Sequence, residues 1–247
     1  MKALIEVCEV HKSIEQNKIL NSINLNVKKG SIFGLIGPNG AGKTSLIKIL
    51  TGIWEPDEGL VRFKGSDVFE NVRIKESIGY VPDLCHYYDS FRVKEIIRFY
   101  KLAYKRFSEE RFQELNKLFQ VSTNKRISGL SKGTKAKLMF MLSLSIMPEY
   151  LILDEPTSGL DPIAKRRFME TLLDEVSERG TTVLISTHNL ADVEQICDSI
   201  AVISSGGIKF HGTVDEIKHK VRKLQVVFKD CIPKGLADME DILSVKT

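Results

Sequence analysis

The chain has 247 residues, 43% of them hydrophobic, which is enough to bury a sizeable core as one large domain or two small ones. Lys and Arg outnumber Asp and Glu by 36 to 32, and a formal charge of +4 is too mild to require a nucleic-acid partner. Cys8, Cys85, Cys197 and Cys231 lie far apart, form no C-x-x-C pair and share no zinc spacing with histidine, so a reducing, cytoplasmic setting is the simple reading. Glu6 and Glu9 stand where a signal peptide would be apolar, and the apolar run Leu138 to Met147 is too short for a membrane span and ends at Pro148. A soluble protein is expected; work at a membrane would need spans from another chain.

From the N-terminus, Ala3 to Val10 alternates and is rich in β-formers, and Ile19 to Val27 alternates too, with Ile19, Ile23, Leu25 and Val27 against Asn24 and Asn26. Two such segments predict an antiparallel flap, with His11 to Asn17 as its turn. His11 could stack on a base from there, although an ordinary surface histidine is the plainer reading. Ser31 to Ile36 is then a short apolar run, a buried-strand signal, and Ser45 to Leu50 is compatible with a helix.

Between them stands Gly37-Pro38-Asn39-Gly40-Ala41-Gly42-Lys43-Thr44, which reads G-x-x-x-x-G-K-T, the phosphate-binding loop pattern. Glycines let successive backbone N–H groups curl round a phosphate, and the helix start adds its positive end. Lys43 is placed to reach the β- and γ-phosphates, and the Thr44 hydroxyl to ligate Mg²⁺.

Leu60 to Phe63 and Ile78 to Val81 read as further strands, and Pro82-Asp83 ends the second, which puts Asp83 on a loop at a strand end. Cys85-His86-Tyr87-Tyr88-Asp89-Ser90-Phe91 is dense in aromatics, which either pack under the next helix or form a partner surface. Two amphipathic helices follow. Ile96, Phe99 and Tyr100 are expected on one face of Arg92 to Tyr104, and Phe112, Leu115 and Phe119 on one face of Glu109 to Phe119. The lack of strand signals between Val81 and Tyr150 predicts a helical insertion in an α/β sheet.

From Ser122 to Lys137 there are five cations and no acid. Leu130-Ser131-Lys132-Gly133-Thr134-Lys135 leads there into an apolar helix, Ala136 to Ile146. With Ser131 as N-cap this is either a second anion site or a routine cap with a solvated charged face. Tyr150 to Leu153 is a buried-strand run closed by Asp154-Glu155. Two carboxylates there are costly unless they meet a cation or donors, and they suit a metal-holding aspartate and a water-activating glutamate. Pro156 to Pro162 is a tight loop before a helix from Ile163, and Thr181 to Ser186 is another buried strand, ending in Thr187-His188.

In this order the pieces closely resemble the nucleotide-binding subunit of ATP-binding cassette (ABC) transporters, from about Ala3 to Ile217. The resemblance implies an α/β, P-loop NTPase fold with a RecA-like core, an antiparallel β subdomain and an inserted helical subdomain at about 84–147. The ATP-binding domain would cover 1–220 and a short extension 221–247. It also implies two cassettes meeting head to tail, with ATP and Mg²⁺ held between the phosphate loop of one, Gly37 to Ser45, and Ser131 and Gly133 of the other. By the same resemblance Glu155 is the general base, with Lys43 and His188 as catalytic partners. Asp161 contacts nucleotide, and Thr44, Asp83 and Asp154 face the metal. An integral membrane subunit would bind near Leu84 to Phe91, which places the chain in the cytoplasm on the inner face of the membrane.

Three departures from the family pattern stand out. Asp83 replaces the usual glutamine, Ser131-Lys132-Gly133-Thr134 replaces S-G-G-Q, and Ser13 and Ile14 lie where an adenine-stacking aromatic is usual. The first two resemble the ABC-2 type exporters, so an export ATPase is the leading expectation and a soluble, non-transport ABC ATPase the alternative. A nucleotide kinase or GTPase would leave Ser131 to Lys135 and His188 unexplained.

Overall fold

The computed structural model describes residues 3–216. The expected domain end at 220 and the extension 221–247, where Leu224 to Phe228 and Ile242 to Val245 have strand-like composition, lie outside them.

The flap is a long hairpin of β1 (Ala3–Ile14) and β2 (Asn17–Lys28), which pairs through β1 with β4 (Glu58–Phe63) and ends at β5 (Ser66–Asp67). The predicted turn from His11 to Asn17 is mostly strand. Only Glu15 and Gln16 turn, both with positive φ (48° and 69°), and two-residue hairpin loops favour that conformation. Polar composition suggested a loop, but Asp57 supplies partners there: it accepts from the Ser13 N–H and from Lys12 Nζ, both at 2.6 Å. Tertiary pairing thus overrides weak strand propensity.

The second sheet has the order β10–β9–β3–β8–β7–β6. Its strands β3 (Ile32–Ile36), β6 (Ile78–Val81), β7 (Tyr150–Asp154), β8 (Thr182–Thr187) and β9 (Ser199–Ser204) are parallel, and β10 (Gly207–Thr213) runs antiparallel at the edge. Period-two alternation gives each face its own core. Phe33, Leu35, Tyr150, Ile152 and Leu184 face the flap and α1 (Lys43–Leu50). Ile32, Leu151, Leu153, Val183 and Ile185 face the helical side. The pairings Ile36–Thr187 and Val81–Leu153 place the carboxyl ends of β3, β6, β7 and β8 along one edge, where ligands bind in open α/β sheets.

A short helix α2 (Val72–Lys75) precedes β6. The expected insertion is present as α3 (Val93–Ala103), α4 (Glu109–Phe119) and α5 (Lys132–Ser145). α5 starts four residues earlier than predicted because Ser131 caps it, its Oγ accepting from Thr134 N–H at 3.2 Å. From Leu138 to Ser145 every residue of α5 is buried, as befits a helix that is apolar on all sides. Phe140 lies 3.9 Å from Phe168 of α6 (Pro162–Arg179) and 5.8 Å from Phe119, measured between ring centroids.

The inward face of α4 is Phe112, Leu115 and Phe119, as expected. On α3 the buried set is Val93, Ile96 and Ile97, and Phe99 is 59% exposed, against the expectation. The i, i+3, i+4 spacing from Val93 outcompetes the register that would bury Phe99. Glu175 of α6 is 1% exposed and pairs with Arg111 of α4 and, at 3.3 Å, with Arg179. A further helix, α7 (Leu190–Ile196), lies between β8 and β9. Among the described residues no helix is long and apolar enough to cross a membrane.

Candidate functional site

The phosphate loop leaves β3 at Gly37, where a Cβ would stand 2.3 Å from the Ile203 carbonyl oxygen, so backbone packing itself excludes a side chain. Gly42 has φ +105° and caps α1 without a side-chain bond, leaving the first helical N–H groups available. Ala41 N–H donates to Pro38 O at 3.2 Å, and Gly206 N–H, from the β9–β10 turn, donates to Ala41 O at 3.2 Å. Pro38, Asn39, Gly40 and Thr44 are exposed, and Ser45 is half-buried. Lys43 is 6% exposed; its Nζ donates to Gly37 O at 2.7 Å and lies 3.2 Å from Glu155 Oε1. The loop therefore has an exposed rim of amides over a buried cation.

β7 ends in Asp154, which is 1% exposed. Ser186 Oγ donates to Asp154 Oδ1 at 2.6 Å, and the nearby Thr44 side chain favours the charged carboxylate. Burial pushes the Asp154 carboxyl above its ordinary range, and the charges of Asp83 and Glu155 push the same way. A dry carboxylate beside a threonine hydroxyl suits a hard divalent cation. No cluster of three or more His, Cys, Asp or Glu ligands exists among the described residues. Thr44 and Asp154 would supply the one or two protein oxygens that Mg²⁺ takes before phosphates and water complete its shell.

Glu155 follows in the left-handed region, with φ +46°. Its carboxylate reaches Lys43 through Oε1 and His188 Nδ1, at 2.9 Å, through Oε2. His188 follows β8 directly and its side chain is 61% exposed. The loops after β3, β7 and β8 thus bring Lys43, Glu155 and His188 into one line beside Asp154 and Thr44.

Asp83, on the loop after β6, faces Lys132 at 3.4 Å, and the same Nζ lies 3.3 Å from Ser158 Oγ. Two more lysines of α5 meet acids on neighbouring loops, Lys135 with Asp89 at 3.4 Å and Lys137 with Asp161 at 3.5 Å. The basic stretch read from the sequence is therefore tied into the fold. Gly133 sits where a Cβ would be 2.7 Å from Gly159 O, so α5 begins hard against the loop after Glu155. Asp161 caps α6, accepting from Ala164 N–H at 2.8 Å. Ser13 and Ile14 lie at the hairpin end, where Ile14 is 39% exposed. His11 accepts weakly from Ser22 N–H at 3.4 Å.

The aromatic loop divides between its two readings. Cys85 and Tyr87 pack onto the helical core, the Tyr87 hydroxyl donating to Lys135 O at 3.1 Å. Leu84 and Tyr88 are 56% and 74% exposed, and Phe99 and Leu102 of α3 are exposed as well.

Two contributors were not foreseen from the sequence. Ser186 bonds both site carboxylate residues, since its Oγ also accepts from Glu155 N–H at 3.0 Å. A polar residue closing the apolar run Val183 to Ile185 was the available signal. Asp192 of α7, 5% exposed, holds Lys165 at 2.5 Å, Asn189 at 3.1 Å and Thr157 at 3.3 Å, joining the loops that follow Glu155 and His188.

The sequence profile of the ABC transporter family matches residues 20–158. The chain is similar to the ABC transporter ATP-binding protein YtrB of Bacillus subtilis, 32% identical, with 91% of this chain and 77% of the relative covered. The bacitracin transport ATP-binding protein BcrA of Bacillus licheniformis is 31% identical, with 90% and 74% covered. The xylose/arabinose import ATP-binding protein XylG of Sulfolobus acidocaldarius is 31% identical, with 87% and 90% covered. A solved ATP-binding subunit of an ABC transporter superposes with a TM-score of 0.81 at 29% identity, over 88% of this chain and 92% of that one. With the loop, the strand-end carboxylates and these likenesses together, the chain belongs to the ABC transporter family as an ATP-binding subunit that hydrolyses ATP.

Proposed function

We propose that the chain is the motor of a membrane exporter, working as a pair of cassettes on the inner face of the membrane. The observation that carries the site reading is the line Lys43–Glu155–His188, with contacts of 3.2 and 2.9 Å, beside the buried Asp154. Gly37 to Ser45 cradle the phosphates, and Lys43 shifts from its carbonyl partners to the β- and γ-oxygens. Glu155 takes the proton of the attacking water, and His188 bridges from Glu155 towards the γ-phosphate. Thr44 and Asp154, with Asp83 nearby, would hold Mg²⁺, which supplies neutralisation of the phosphate charge.

The start of α5 is assigned to the partner's nucleotide: Ser131 and Gly133, with Asp161, would face the γ-phosphate bound on the opposite cassette. The domain reading keeps 1–220 as the cassette, 84–147 as its helical insertion and 221–247 as an extension. The exposed Leu84, Tyr88, Phe99 and Leu102 are proposed to meet a multi-span membrane subunit. Export is favoured by Asp83 and the Ser131-Lys132-Gly133-Thr134 sequence, and a relative named for bacitracin transport is compatible with it.

The trans assignment is tested by mixing. Ser131→Arg subunits should bind ATP and hydrolyse none, and Lys43→Ala subunits should bind none. Their heterodimer should recover one working site. No hydrolysis above either mutant alone, with heterodimers demonstrated, would refute the assignment. Co-purification with a polytopic membrane protein, and outward flux after reconstitution, test the remainder.

A further inference from the structure

Ser186 is fully buried in β8, and its register partner is Asp154. Its single hydroxyl proton goes to Asp154 Oδ1 at 2.6 Å, and its oxygen accepts from Glu155 N–H at 3.0 Å. That N–H also meets the Ser186 carbonyl oxygen at 3.2 Å, so one residue supplies both of its acceptors. Glu155 needs such anchoring. A non-glycine residue held at φ +46° is sparsely populated and persists only where its surroundings over-determine it. The turn is closed from the other side by Ser158 N–H, which donates to Glu155 O at 3.1 Å.

We propose that Ser186 is a positioning residue for hydrolysis. One hydroxyl fixes the rotation of the Asp154 carboxylate towards the divalent cation and the backbone turn that aims Glu155. This rests on the reading of Asp154 and Glu155 given above. The partners of the Ser186 hydroxyl are Asp154 and the Glu155 N–H, so its removal should separate two quantities that a general loss of structure would move together. Partners that orient a metal ligand are worth about 10- to 100-fold in metal affinity or activity.

The test uses the full chain. ATPase kinetics give kcat and KM, and Mn²⁺ titration followed by electron paramagnetic resonance, with a non-hydrolysable ATP analogue, gives metal affinity without turnover. Ser186→Ala should lower kcat about tenfold or more and weaken Mn²⁺ about tenfold, with KM for ATP and chelator-measured nucleotide affinity near parental values. Ser186→Thr, which restores the hydroxyl, should recover both losses. Should the alanine variant fail to fold, Ser186→Thr against Ser186→Val makes the same comparison at equal side-chain shape; equal losses in the two would overturn the proposal. Asp154→Asn separates the levels. If it abolishes tight Mn²⁺ binding while Ser186→Ala behaves as the parent, the role of Ser186 is wrong. If Asp154→Asn itself binds Mn²⁺ as the parent does, the underlying metal reading fails instead.

Discussion

Lys132→Met tests how the two departures from the family pattern act on each other. Lys132 Nζ and Asp83 Oδ1 are 3.4 Å apart, with side chains 52% and 41% exposed. At that distance a pair of unit charges attracts by about 1 kcal/mol in water and about 5 kcal/mol at an effective dielectric of about 20. The exposure selects the aqueous figure, and ordering two side chains brings the net value to about 0.2–1 kcal/mol. Methionine keeps most of the stem and removes the charge. Asp83 then presents an uncompensated carboxylate near Asp154, so Mg²⁺ should strengthen ATP binding by up to about fivefold more than in the parent. Without metal the same charge opposes the triphosphate, so ATP affinity in chelator should fall slightly, and Asp83→Asn should raise it. The assay is ATP affinity in chelator and in saturating Mg²⁺ for the parent, Lys132→Met, Asp83→Asn and the double variant. The effect of Lys132→Met should vanish in the Asp83→Asn background and shrink in 1 M salt, where the screening length falls to about 3 Å. An equal ratio of the two affinities in all four proteins would show that Asp83 is not linked to the metal.

Gly42→Ala should reduce ATP affinity more than about tenfold, because φ is +105° and the new Cβ would meet Leu20 Cδ2 at 2.8 Å and Ile19 O at 3.1 Å; calorimetric titration with parental affinity would contradict this. Glu175→Ala should cost about 3 kcal/mol in urea unfolding, since it takes the buried carboxylate from Arg111 and leaves that guanidinium only the exposed Glu114, and a loss below about 1 kcal/mol would refute the buried-pair reading. Burial pushes the Cys197 thiol up to about 12 from an ordinary 9.0, and the charges of Asp198 and Asp192 add to it. A raised thiol pKa favours the protonated, folded form, so this contribution is complete below about pH 9 and is lost as pH rises towards 12. Alkaline unfolding of Cys197→Ala should therefore be less steep over that window; an unchanged slope would remove Cys197 from the account.

The places of the phosphate loop, the strand-end carboxylates and His188 were legible because each directly follows a short apolar run that the fold keeps as a buried strand. The insertion was legible by its missing strand signals. What escaped depends on contacts between distant segments. Asp57 holds the polar end of the hairpin as strand across 44 residues, and no periodicity in His11 to Ile14 announces it. Phe99 was misplaced because two overlapping helical registers share Ile96, and packing, not hydrophobicity, chose between them. The lysines of α5 read as a basic patch since their partners, Asp83 and Asp89 on the loop after β6 and Asp161 on the loop after β7, are distant in sequence. Ser186 carries no motif, and its meaning comes only from its neighbour in the sheet.

The ring of Phe140 between Phe119 and Phe168 bears on how this subunit could be re-engineered. In sequence the insertion looks like a cassette within a cassette, ready to be exchanged for that of another transporter. In three dimensions its central helix is the interior of the host: the face formed by Leu151, Leu153, Val183 and Ile185 shares one core with Phe112, Leu115 and Leu142. A graft cut at residues 84 and 147 would bring a foreign surface onto Phe168 and Leu172 and leave voids or clashes there. Chimeras that change partner choice should instead replace the outward side chains Leu84, Tyr88, Phe99 and Leu102 and keep every residue that looks inward.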